Sequence, residues 1–213
     1  PWNFPIAMIT RKVAPGIAAG CACVLKPAEQ TPLSAFALAE LATRAGIPAG
    51  VMNIVTGMHA PAIGAALCAD SRISKMTFTG STDVRRLLIR QSADTVKKMS
   101  LELGGNAPLL VFDDADIDSS IEGLVDAIWF NQGEVCCAGS RLLVHEAIAE
   151  DFHHRLKARM DKLRIGDPLD KSIDVGAIVD PIQLAQIQSL IAANDAGETY
   201  HANTPLPEGC FYP

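Results

Sequence analysis

Short apolar runs of strand type recur between helical patterns, most of them of ten or more residues, and this alternation limits the fold more than any other feature. Strand candidates fall at residues 21–25, 52–55, 75–79, 99–103, 109–112 and 142–144. Helical patterns fall at 6–19, 32–44, 62–69, 80–93, 117–130, 147–163 and 181–193. Parallel strands of this length need helical crossovers, and those crossovers cover the sheet on both faces. The expectation is an α/β chain: a Rossmann-like parallel sheet over the first hundred residues, then part of a second α/β domain. Gly104-Gly105 is the most plausible boundary, giving domains 1–104 and 105–213. Local signals set several ends. Thr31 and Pro32 open one helix, Gly46 and Pro48 close it, and Asp113, Asp114 and Asp116 place carboxylates at the start of another. Pro15 and Gly16 should disturb the last turn of the helix over 6–19. From residue 196 onward, glycine, proline and polar residues predict loop.

Composition excludes some classes of partner. A net charge of −6 argues against nucleic acid or an anionic membrane surface. The longest apolar run, 17–25, ends at Lys26 and is far too short to cross a bilayer. Six cysteines show no Cys-x-x-Cys and no zinc spacing with the five histidines, so no metal site is expected. Cys136 and Cys137 are vicinal and would be strained as a disulfide, so free thiols in a reducing, cytoplasmic setting are expected.

Chemistry concentrates in Phe130-Asn131-Gln132-Gly133-Glu134-Val135-Cys136-Cys137-Ala138-Gly139-Ser140-Arg141, where two cysteines stand between turn-forming glycines. Glycine lets backbone and substrate approach a sulfur closely, which suits a reactive thiol. The same residues could equally be core cysteines. Leu101-Glu102-Leu103-Gly104-Gly105 offers a carboxylate beside a second glycine pair. Thiol and carboxylate together suggest a nucleophile and a base that activates water. Glu102 could otherwise be a helix cap or an ion-pair partner.

These two stretches resemble the aldehyde dehydrogenase superfamily, together with Pro1-Trp2-Asn3-Phe4-Pro5, Lys26-Pro27-Ala28-Glu29-Gln30-Thr31-Pro32 and Phe78-Thr79-Gly80-Ser81-Thr82, which follow the family's order. The resemblance implies oxidation of a small-molecule aldehyde to a carboxylic acid with NAD, or NADP as the alternative acceptor. The reaction would run through a thiohemiacetal and a thioester on Cys136, with Glu102 activating water for hydrolysis. Asn3 would donate to the oxyanion; as a residue between two aromatics it could also serve a turn. Cys137 would point elsewhere and pack. Trp2, Lys26, Glu29, Gly80, Ser81 and Gln183 are the cofactor contacts implied. Glu29 would accept from ribose hydroxyls and repel a 2′-phosphate, which favours NAD. Gly80 and Ser81 would open a helix toward the pyrophosphate. Domain 1–104 would then bind NAD, and 105–213 would carry the nucleophile.

Residues 7–12 are similar to succinate-semialdehyde dehydrogenases, whereas 137–141 look more like general or betaine-type relatives. Family members are much longer, so an internal segment of a longer chain is expected, forming a homo-oligomer (dimer or tetramer) at full length. Any targeting peptide would precede Pro1. Three departures stand out: Arg85 and Glu134 replace the family's usual glycine and glutamine, and the Gly57-Met58-His59-Ala60-Pro61 loop lacks a second glycine. They support a second reading, a non-catalytic member with a binding or structural role. Retention of Asn3, Glu102 and Cys136 together argues against it. A thiol hydrolase using His145 is a third reading that nothing recommends.

Overall fold

The computed structural model describes residues 1–213. The chain divides into two compact units, Pro1–Gly104 and Gly105–Pro213.

The first unit begins with α1 (Ala7–Ala18), followed by β1 (Cys23–Leu25), α2 (Pro32–Arg44), β2 (Met52–Ile54), α3 (Ala60–Ala69), β3 (Lys75–Gly80), α4 (Thr82–Ser92) and β4 (Lys98–Leu103). The second contains β5 (Pro108–Val111), α5 (Ile117–Ile128), β6 (Arg141–Val144), α6 (Ala149–Met160) and α7 (Pro181–Ala192). Pairing is parallel throughout, as helical crossovers require: β1 with β2, β3 with β4, and β5 with β6. Each pair with its helix is one strand–helix–strand unit.

One expectation is corrected here. The first hundred residues do not make one continuous sheet; their four strands form two separate two-stranded sheets. The physical reason is length. With three residues each, β1 and β2 offer few ladder bonds, and α3 joins β2 to β3 without the two strands pairing. A second correction concerns α1, which continues through Pro15. Proline there removes only the donor that would meet the carbonyl of Arg11, and Ala19 N–H to Pro15 O closes the final turn.

The second unit has the clearer core. Along α5, Ile117, Ile121, Leu124 and Ile128 recur at helical spacing, and Val111, Phe152, Leu109, Leu142, Val144 and Leu156 meet them. Alternation along the strands sends Leu109 and Val111 inward and leaves Leu110 and Leu143 outward, 58% and 54% exposed. The helix expected over 147–163 is shorter: a 3-10 turn at Glu146–Ile148, where His145 Nδ1 accepts from Ala147 N–H, precedes α6. Residues beyond α7 form no helix or strand. They are fastened by Tyr200 Oη to Asp161 at 2.7 Å and by Ile178 N–H to Cys210 O at 2.7 Å. No helix is long and apolar enough to cross a membrane.

Candidate active site

In the first unit the site begins with strand register. Thr79 on β3 lies opposite Glu102 on β4. Two adjacent cations on α1 reach this sheet end: Arg11 forms an ion pair with Glu102 at 3.2 Å, and Lys12 Nζ donates to Thr79 Oγ1. Burial lowers the Lys12 pKa, and Arg11 adds to that, while the charge of Glu102 works the other way. Glu102 thus sits among cations, half-exposed. Arg11 and Lys12 enter the sequence reading only within the 7–12 stretch, with no role assigned; they are the only charges on α1. The ion pair is the alternative raised for Glu102 from sequence.

A cavity of about 350 Å³ lies in the same unit, lined by Lys26, Glu29, Lys12, Phe78, Val84 and Leu88 among others. Lys26 and Glu29 are brought together at 2.7 Å, and Lys26 also donates to the carbonyl of Pro27. Burial opposes ionisation of Glu29, but hydrogen bonding from Lys26 and from backbone holds its carboxyl below the usual range. The residues fit a dinucleotide: an ionised carboxylate suits ribose hydroxyls, and apolar walls suit a base. Ser81 is the N-cap of α4, its Oγ accepting from Val84 N–H. Asp83 sits in the first turn and pairs with Arg86 at 3.2 Å. At Gly80 a Cβ would fall 2.5 Å from the Phe78 ring, so glycine there leaves room for an aromatic that lines the cavity. Trp2 and Asn3 occupy the half-buried turn ahead of α1. Arg85 is half-buried on α4, with its Nε lacking a hydrogen-bond partner.

In the second unit, α5 ends at Ile128, and Asn131, Gln132 and Gly133 then take left-handed φ values of 49°, 58° and 76°. Non-glycine residues adopt this region at a cost of about 1–3 kcal/mol each, so surrounding contacts must hold them. Asn131 Nδ2 donates to Glu134 O at 3.4 Å and Gln132 Nε2 to Ala177 O at 3.1 Å. At Gly133 a Cβ would meet the Ile128 carbonyl at 3.0 Å. Cys136 and Cys137 follow, both exposed free thiols. Cys137 does not pack as expected; the buried positions of this turn are Ala138 and Gly139. Burial and neighbouring Asp180 push the Glu134 carboxyl up to about 7, so below that pH it carries less charge than an ionised glutamate would. Gln183 stands at the start of α7, its N–H bound to Asp180 Oδ1 at 2.8 Å. No cluster of His, Cys, Asp and Glu could hold a metal ion.

Comparison with known proteins defines the class. The aldehyde dehydrogenase family model matches residues 1–208, and the chain belongs to that family. It is 50% identical over 192 residues to an NADP(+) succinate-semialdehyde dehydrogenase of Escherichia coli K12, covering 90% of this chain and 40% of that protein. To a glutarate-semialdehyde dehydrogenase of Pseudomonas putida KT2440 it is 46% identical over 213 residues, covering 100% and 44%. The crystal structure of an E. coli NADP-dependent enzyme, 50% identical, superposes with a TM-score of 0.87 over 90% of this chain and 40% of that one. A succinate-semialdehyde dehydrogenase structure from Burkholderia pseudomallei, 47% identical, gives the same TM-score over the same shares. The chain therefore spans about two fifths of the length of these relatives.

Proposed function

We propose that this chain contributes the cofactor cavity and the nucleophile of an NAD-dependent aldehyde dehydrogenase acting on a short aldehyde with a distal carboxylate, such as succinate semialdehyde. The observation that carries this reading is Glu102 held beside Arg11 on α1. A carboxylate able to activate water and a guanidinium able to hold a substrate carboxylate lie at one sheet end. Relatives named for succinate and glutarate semialdehydes support the same substrate class.

The residues divide the work as follows. Cys136 attacks the aldehyde carbon as a thiolate and forms a thiohemiacetal. Asn3 donates its amide N–H to the oxyanion that develops, where one donor is typically worth about 3 kcal/mol. NAD held in this cavity would supply the hydride acceptor that converts the thiohemiacetal to a thioester. Glu102 then takes a proton from water, and hydroxide hydrolyses the thioester to release acid and free thiol. Lys26 and Glu29 hold the adenosine ribose, with Trp2, Gly80, Ser81 and Gln183 as further cofactor contacts. Unit Pro1–Gly104 is the cofactor domain, and Gly105–Pro213 carries the nucleophile.

The test is NADH production by the full-length protein over straight-chain aldehydes with and without a terminal carboxylate, in wild type and Arg11→Met. Wild type should prefer the semialdehydes, and Arg11→Met, which also removes the ion-pair partner of Glu102, should raise their KM more than that of the unsubstituted aldehydes. Equal use of both classes by wild type would contradict the substrate assignment.

A further inference from the structure

Beyond these roles, the side chain of Gln132 bridges the turn that carries the cysteines to the loop ahead of α7. Gln132 stands at φ 58°, its backbone N–H bonded to Trp129 O at 3.1 Å. Its Nε2 donates to Ala177 O at 3.1 Å, across 45 residues of sequence. The acceptor lies three residues before Asp180, the N-cap of α7, and six before Gln183. The fit is close. A Cβ at Gly176 would sit 3.3 Å from Gln132 Nε2 and 3.2 Å from Pro168 Cβ. Gln132 also borders a small cavity with Trp129, Ile178 and Ile187. A glutamine in left-handed backbone is strained, and this half-buried hydrogen bond is the long-range contact that offsets the strain.

We infer that Gln132 is a positioning residue: its amide fixes the cysteine turn against the 176–180 loop, so that Cys136 and the α7 end bearing Gln183 keep one relative placement. The inference rests on the assignment of Cys136 as nucleophile. Without the amide the turn is free to relax out of its left-handed conformation. Misplacement of about 1 Å at a reacting centre can lower a rate 100-fold. Bulk stability should change little, because an apolar side chain of the same length still fills the space beside Trp129 and Ile187.

The test uses the full-length protein in wild type, Gln132→Met, Gln132→Glu, Gly176→Ala and Cys136→Ala, with kcat expressed per alkylatable active-site thiol and thermal unfolding measured alongside. Gln132→Met keeps the volume and removes the donor, and Gln132→Glu replaces the donor with an acceptor facing a carbonyl. Gly176→Ala pushes on the amide, and on Pro168, without altering the amide's chemistry. All three should lower kcat about 10- to 100-fold with KM for aldehyde within about twofold; the unfolding midpoint should stay near wild type for Gln132→Met and fall for Gln132→Glu, whose carboxylate faces a carbonyl. The inference is overturned if Gln132→Met keeps kcat within about twofold, if its loss lies in KM alone, or if activity falls only in proportion to unfolded protein. Substantial turnover by Cys136→Ala would instead overturn the nucleophile assignment, a result the other variants do not give.

Discussion

On the proposed reading, Glu29 is the side chain that discriminates between NAD and NADP. Its carboxyl is kept ionised by Lys26 and lines the cavity, so a 2′-phosphate would meet a negative charge there. The kcat/KM ratio of NAD to NADP should favour NAD, and Glu29→Ser should shrink that ratio about 10-fold or more, since one relieved charge contact is worth about 1–2 kcal/mol. An unchanged ratio would mean that Glu29 does not face the ribose. Glu134 sets a pH dependence. Its folded pKa is raised from 4.5 to about 7 by burial and Asp180, so between those values the folded state holds more protons than the unfolded one. Stability contributed by this residue is therefore greatest below pH 4.5 and declines as pH rises toward 7. Solvent screening at a half-buried site limits the effect to about 1–2 kcal/mol. Denaturant unfolding of wild type and Glu134→Gln should coincide at low pH and separate above neutrality, with the variant more stable. A constant gap across pH would show that Glu134 does not titrate in this window.

At the scale of elements, β3 and α4 make the clearest prediction. Gly80→Ala would drive a methyl into the Phe78 ring, and that ring lines the cavity. The ring should swing into the cavity and raise KM for NAD several-fold, with kcat less affected. Equilibrium dialysis with NAD reads this directly, and unaltered affinity would place Phe78 outside the cofactor's path. The same elements show what the sequence made legible. Most helices and strands fell close to where the pattern put them: α5 carries a plain 3.6-residue stripe, and Asp116 and Ser81 cap their helices. Thr31 opens α2 without a side-chain cap, and the helix expected over 147–163 is shorter. Sheet continuity was not legible, since nothing in two three-residue strands says whether a third will join them. An ion pair at Glu102 was one of the sequence alternatives, but its partner was not legible for a related reason: Arg11 and Lys12 meet β3 and β4 only through tertiary packing. So was the left-handed turn before Cys136. Its conformation at Asn131 and Gln132 is imposed by contacts as distant as Ala177, and glycine marks only its last residue.

For the whole molecule, exposed apolar surface matters most. Leu110, Phe112 and Leu143 present one face of the β5–β6 pair to solvent, and Leu33, Phe36 and Leu41 do the same along α2. Exposed apolar side chains on a two-stranded sheet with open edges favour association. The 213-residue chain by itself should sediment as self-associated species at micromolar concentration, and Leu110→Lys with Leu143→Glu should shift it toward monomer. A monodisperse wild-type chain would show that these faces are inert. The claim on which everything else depends is that Cys136, and not its equally exposed neighbour, forms the covalent intermediate. The direct measurement is NADH formation, with mass detection of the acylated peptide, in the full-length protein carrying Cys136→Ala or Cys137→Ala. The account predicts that Cys136→Ala loses turnover and the adduct together, whereas Cys137→Ala retains most of both. Equal losses in the two variants, or an adduct on Cys137 in wild type, would contradict it.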